Sequence, residues 1–158
     1  MAGGLWRLRT RSAEETAALG RRLGLAAQPG DMLLLQGPVG AGKTVLASGI
    51  LEGLGVPGPH PSPTFTLLRT YRGRLPAVHA DLYRLEGRFD PDELGWEDAV
   101  AGEGVTIVEW ADRLGGHAPA DALHIRLEPA GAARSVACRA GGPSAARLLA
   151  AARGAVAG

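Results

Sequence analysis

The residues Gly37-Pro38-Val39-Gly40-Ala41-Gly42-Lys43-Thr44 fit the pattern G-x-x-x-x-G-K-[ST] without deviation. The chemistry of that spacing is phosphate binding. Glycines let backbone N–H groups converge on anionic oxygens, and a helix opening at Lys43 would point its positive end at them. Lys43 can reach the β- and γ-phosphate oxygens as a compact charge, and Thr44 can place its hydroxyl on Mg²⁺. Val39, Gly40, Ala41 and Gly42 would line the cradle. The implied ligand is a nucleoside triphosphate. Composition sharpens the point: the chain has 17 Lys and Arg residues, and the one lysine among them is Lys43. In so Arg-biased a sequence, a lysine retained there is one that a guanidinium cannot easily replace. The chain also lacks Asn, so it cannot assemble the Asn-Lys-x-Asp motif of guanine-specific proteins. ATP is therefore expected over GTP, although Asp112-Arg113-Leu114-Gly115 mimics the D-x-x-G of GTPases.

A phosphate loop of this kind needs a strand-end carboxylate to hold Mg²⁺ through water and a group to orient the attacking water. Two acids qualify. Glu109 closes the apolar run Val105–Val108, and Asp81 closes Leu75–Ala80. Position alone does not say which of them serves the metal. His79 reads as a packed strand residue, and Tyr83 and Trp110 as core or rim aromatics. Cys138, the one cysteine, reads as a small strand hydrophobe. Arg69, Arg72, Arg74, Arg84 and Arg88 cluster around one hairpin, where a solvated surface and a partner or nucleic-acid contact are equally open readings.

The elements that must position these groups follow from periodicity and punctuation. Leu5–Leu8 is a short strand. Ser12 opens a helix running to about Ala26, with Glu15 completing a capping-box pattern. Met32–Leu35 has the length of a buried strand, and a helix runs from Lys43 to about Leu54. Gly55 to Pro63 is loop. Thr64–Tyr71 and Leu75–Ala80 are strands joined by Arg72-Gly73-Arg74. Asp90–Val100 holds one or two short helices, and Val105–Val108 is a strand. Asp121–Glu128 and Arg134–Arg139 pair around a Pro-Ala-Gly-Ala turn, and Pro143–Arg153 is a last helix with a frayed tail from about residue 154. The 158 residues, 46% hydrophobic and 21% charged, suit one α/β domain with a mixed parallel and antiparallel sheet flanked by helices. A net charge of +1 gives no overall field for polyanions, so any nucleic-acid contact must be local. Neither a secretory leader nor a membrane span is evident, and a cytoplasmic protein is expected.

Gly37–Thr44, Ser62-Pro63-Thr64-Phe65-Thr66-Leu67, His79–Leu85 and Val108-Glu109-Trp110-Ala111-Asp112 occur in the order that characterises a known family. Across nearly the whole chain the sequence resembles the TsaE (YjeE) family, bacterial ATPases required for threonylcarbamoyladenosine modification of tRNA. The resemblance implies a P-loop NTPase core and Mg²⁺-dependent ATP hydrolysis. It implies that Thr64 lies near the γ-phosphate, that Asp81 is an essential acid on the γ-phosphate side, and that Glu109 is a metal-site acid with Trp110 beside it. Arg11 and Arg134 would lie at the base and ribose end. The implied partners are the threonylcarbamoyl transferase subunit and its non-catalytic paralogue (TsaD and TsaB type), with tRNA reached through that complex. Val45 stands where many members carry a second hydroxyl, and Ala80 where a bulkier residue is common. A small-molecule P-loop kinase, with Asp81 as base, is the alternative; the short Arg72–Arg74 tip argues against it, because such kinases close an Arg-bearing lid.

Overall fold

The computed structural model describes residues 4–61, 67–83, 85, 89–94, 96–97 and 103–157. Thr64 and most of the Ser62–Leu67 motif, together with Arg84 and Arg88, lie outside the described residues. Among those described, seven strands form one sheet: β1 Leu5–Thr10, β2 Met32–Gln36, β3 Leu68–Arg72, β4 Pro76–Asp81, β5 Val105–Glu109, β6 Leu123–Ala130 and β7 Ala133–Ala140, ordered β1-β7-β6-β2-β5-β4-β3. The central four, β6-β2-β5-β4, are parallel, and antiparallel partners close both flanks. β2 and β5 read as continuous apolar runs because both of their faces are covered.

One face carries Leu33, Leu35, Val105, Ile107 and Ile125 beneath the helices α1 Ala13–Ala26, α2 Lys43–Gly53 and α4 Pro143–Ala157. The other buries Leu34, Ala80 and Val108 against Phe89, Trp96, Ala111 and Leu114. Within the predicted helical stretch Asp90–Val100 the described residues hold the turn α3, Pro91–Leu94, with the Asp90 side chain accepting the Asp92 N–H, and Trp96 and Glu97 are helical too. Residue 95 and residues 98–100 of that stretch lie outside the described residues. Ala111–His117 forms 3-10 turns that periodicity did not signal. The β6–β7 turn is tighter than expected: Ala130 pairs with Ala133, so Pro129 belongs to the strand and Gly131-Ala132 alone make the turn. α4 continues past Arg153 to Ala157, since alanines sustain a helix across one glycine.

α1 and α2 touch backbone to backbone. A Cβ on Gly24 would stand 2.1 Å from the Ile50 carbonyl oxygen, and one on Gly49 would stand 2.4 Å from that of Ala17. Gly20 and Gly53 are equally hemmed in, at 2.5 Å from Leu46 O and 2.3 Å from Arg21 O. At the far end of the sheet the β3–β4 hairpin grips both helices. The Arg74 N–H donates to Leu54 O, and its guanidinium donates to Gly24 O at 2.7 Å and Ala27 O at 3.1 Å. α1 has no basic residue in its own last turn, so Arg74 supplies that cation from elsewhere in the chain. This arginine of the cluster therefore caps a helix.

Candidate nucleotide site

The C-terminal ends of the parallel strands gather the chemistry, as open α/β sheets do. β2 delivers the glycine loop, β5 ends on Glu109 and β4 on Asp81; the last two are register partners. Gly37, at φ +145°, lies so close to β6 that a Cβ would stand 2.2 Å from Leu127 O. Gly42 caps α2 at φ +104° and brings no side chain to the first N–H groups, which leaves those donors for a ligand. Serine would be the ordinary residue at a helix cap. Glycine here leaves room for an anion instead.

These elements enclose a cleft of about 440 Å³. Val39, Gly40, Gly42, Lys43, Thr44 and Arg134 line it as expected, and Asp81 and Glu109 face it from the strand ends. Ala41 lies beneath the loop, fully buried, with its N–H on Pro38 O. Arg11 is exposed and off the cleft wall; its backbone N–H donates to Glu15 at 2.9 Å, while Ser12 caps the Glu15 N–H at 3.1 Å. The wall there is Ser12, Ala13 and Thr16 of α1, which sequence reasoning missed, because only packing brings that helix terminus to the loop. Arg134 donates to Gly40 O at 3.1 Å and ties the loop to the β6–β7 hairpin.

Lys43 is 5% exposed, and its ammonium donates to Gly37 O at 2.6 Å and Pro38 O at 2.8 Å. The Trp110 ring lies over it, 4.2 Å from Nζ to the centroid. Trp110 reaches that position from a backbone φ of +57°, uncommon for a residue with a side chain, and its ring packs against Tyr83. Burial lowers the Lys43 pKa, and the carboxylates of Glu109, Asp81 and Asp112 oppose that shift.

Thr44 donates its hydroxyl to Glu109 Oε1 at 2.8 Å, which leaves the oxygen lone pairs for a cation. The other carboxylate oxygen receives His79 Nε2–H at 2.6 Å. Asp81 Oδ1 accepts the Tyr83 N–H at 3.0 Å. Hydroxyl and carboxylate oxygens suit Mg²⁺, which is held by one or two protein oxygens plus phosphate and water. Among the described residues no group of three or more His, Cys, Asp or Glu side chains could hold an ion unaided. The residues thus fit a cation that arrives with a phosphate ligand. Cys138 plays no part: it is buried in β7, and burial pushes its thiol up to about 12.

Comparison with known proteins bears on the whole chain. The family model for threonylcarbamoyl adenosine biosynthesis protein TsaE matches residues 10–136. A Bacillus subtilis (strain 168) protein named tRNA threonylcarbamoyladenosine biosynthesis protein TsaE is 41% identical over 124 residues, covering 78% of this chain and 77% of the relative. Proteins of the same name from Treponema pallidum and Mycobacterium leprae are 40% and 44% identical, covering 75% and 73% of this chain and 87% and 77% of their own lengths. The crystal structure of Bacillus subtilis YdiB superposes with a TM-score of 0.83 at 32% identity, covering 99% of both chains.

Proposed function

The chain belongs to the TsaE family of tRNA threonylcarbamoyladenosine biosynthesis proteins, and on that premise we propose that it binds ATP with Mg²⁺ in the cleft and hydrolyses it to drive a tRNA-modifying complex. The observation that carries this reading is the Thr44–Glu109 hydrogen bond at the start of α2, with the Lys43 ammonium alongside. It brings the loop's hydroxyl and a strand-end acid to one point.

Lys43 would exchange Gly37 O and Pro38 O for β- and γ-phosphate oxygens. Thr44 and Glu109 would hold Mg²⁺, directly and through water, and the metal would offset charge on the phosphates. Asp81, one strand over, is the group to orient water towards the γ-phosphorus; the new P–O bond forms as the bond to the β-phosphate oxygen breaks, giving ADP and phosphate. The base is adenine on this reading. The Asp112–Gly115 mimic lies in the 3-10 turns with Leu114 buried and Asp112 exposed. Competition titration should show ATP bound clearly more tightly than GTP; equal affinities would remove the base assignment.

The two acids should separate in experiment. Glu109→Gln should raise the Mg²⁺ concentration needed for tight ATP binding. Asp81→Ala should leave ATP binding within a few-fold of normal and remove hydrolysis. If Asp81→Ala loses Mg²⁺ affinity and Glu109→Gln keeps it, the roles are exchanged. The kinase alternative gains nothing from the structure: the Arg72–Arg74 tip lies at the N-terminal end of β4, away from Asp81, and is docked on two helices.

The proposed partners are the threonylcarbamoyl transferase subunit and its non-catalytic paralogue, in the cytoplasm, with tRNA met through that assembly. No helix among the described residues is long and apolar enough to cross a membrane. Affinity capture from lysate with and without ATP should retain those two proteins in a nucleotide-dependent way. Their absence under both conditions would count against the complex.

A further inference from the structure

His79 is indistinguishable in sequence from a strand residue that merely packs. The register gives it a second property. β4 and β5 run parallel with His79 opposite Ile107 and Asp81 opposite Glu109, so His79 and Glu109 share a face, one pleat apart. The two side chains are 1% and 2% exposed, and Nε2–H meets Oε2 at 2.6 Å. Because Thr44 occupies Oε1, the carboxylate is held from α2 on one side and from β4 on the other. The remaining ring nitrogen, Nδ1, is buried without a hydrogen-bond partner among the described residues. Among the described residues nothing but the contact with Glu109 therefore uses the polarity of this ring. A buried imidazole with one unpaired nitrogen costs stability relative to an apolar side chain of similar size. Its place is explained by what it does to the carboxylate.

We propose that His79 is a positioning residue for the metal end of the site: it pins Glu109 Oε2 into the protein and so presents Oε1 to Thr44 and to the cation's water shell. The inference rests on the Mg²⁺–ATP reading and assigns it a further residue. Outer-shell partners of metal-binding groups act in this way, and their loss weakens metal binding by roughly 10- to 100-fold.

The test uses the full chain, a non-hydrolysable ATP analogue and calorimetry across a Mg²⁺ series, with Mn²⁺ binding counted by electron paramagnetic resonance. His79→Leu should raise the Mg²⁺ needed for half-maximal tight binding by about tenfold. Analogue binding in excess chelator should not change. His79→Gln, whose amide N–H can reach the position of Nε2, should restore most of the wild-type value, whereas the shorter His79→Asn should not. Wild-type dependence in the Leu and Asn variants, or one common shift in all three, overturns the inference, since a packing role would not follow donor reach. If His79→Leu fails to fold, the Gln and Asn variants decide by the same contrast. Analogue binding by the wild-type chain that is indifferent to Mg²⁺ overturns the metal reading and the inference together.

Discussion

Lys43→Ala is expected to cut ATP hydrolysis by roughly 100-fold or more, the scale seen when a preorganised charge stabiliser is removed. Lys43→Arg is expected to do no better. The ammonium fits a site bounded by Gly37 O, Pro38 O and the Trp110 ring, and a planar fork with five donors matches neither that space nor a point contact on phosphate. Sixteen of the chain's 17 Lys and Arg residues are arginine, so failure of this replacement would give the solitary lysine its physical reason. Because the ammonium has two carbonyl partners of its own, the Ala variant should also lose about 1–3 kcal/mol of local stability at the loop. Its far-ultraviolet circular dichroism should stay native. Hydrolysis at the normal rate by Lys43→Ala, with partners present, would remove the phosphate-loop assignment.

Gly24→Ala is expected to lower the thermal midpoint by about 4–8 °C, the opposite of what helix propensity alone implies. In an exposed helix interior this change stabilises by about 1 kcal/mol. Here the new methyl would stand 2.1 Å from Ile50 O and 2.9 Å from the Gly53 Cα, and backbone cannot swing aside as a side chain can. Separating the helices enough to admit it should cost about 3 kcal/mol before the propensity gain, at the upper end for overpacking. The net loss of about 2 kcal/mol or somewhat more corresponds to a shift of that size in a domain of this length. Differential scanning calorimetry of Gly24→Ala beside the exposed Gly116→Ala, whose Cβ would meet nothing within 4 Å, checks it. A midpoint at or above wild type would mean that the helix contact is looser than a 2.1 Å approach implies.

The phosphate loop was legible in sequence because its chemistry is local: eight consecutive residues carry the turn, the donors, the cation and the hydroxyl. Glu109 and Asp81 were legible as strand-end acids, since apolar runs mark where strands stop. Among the described residues three helices and all seven strands stand close to where periodicity put them, and the short central strands needed only one residue more at Gln36 and at Glu109. What stayed hidden depends on register or on packing between distant segments. The Glu109–His79 bond requires β4 beside β5 in one particular offset, and nothing in either strand announces it. Ser12 was read as a helix-start residue; that it lines the cleft together with Thr16 depends on how α1 lies across α2. Gly20, Gly24, Gly49 and Gly53 carry no turn signal of their own, yet each marks a backbone approach. Arg74, for which a solvated surface and a partner contact were both open, caps a helix. Lys43 was read as a phosphate ligand, and it has carbonyl and aromatic contacts within the protein as well.

The backbone contact between α1 and α2 has a mechanical meaning for the cleft. α1 and its cap contribute Ser12, Ala13 and Thr16 to the cleft wall and α2 contributes Lys43 and Thr44, with Thr16 Cγ2 3.7 Å from where a Cβ on Gly42 would stand. Where the helices meet through glycine backbone, no side chain at those positions can be compressed or repacked, so the two parts of the wall are held together as one piece. The firmness of that wall follows from methyl groups missing at Gly20, Gly24, Gly49 and Gly53, none of which lines the cleft.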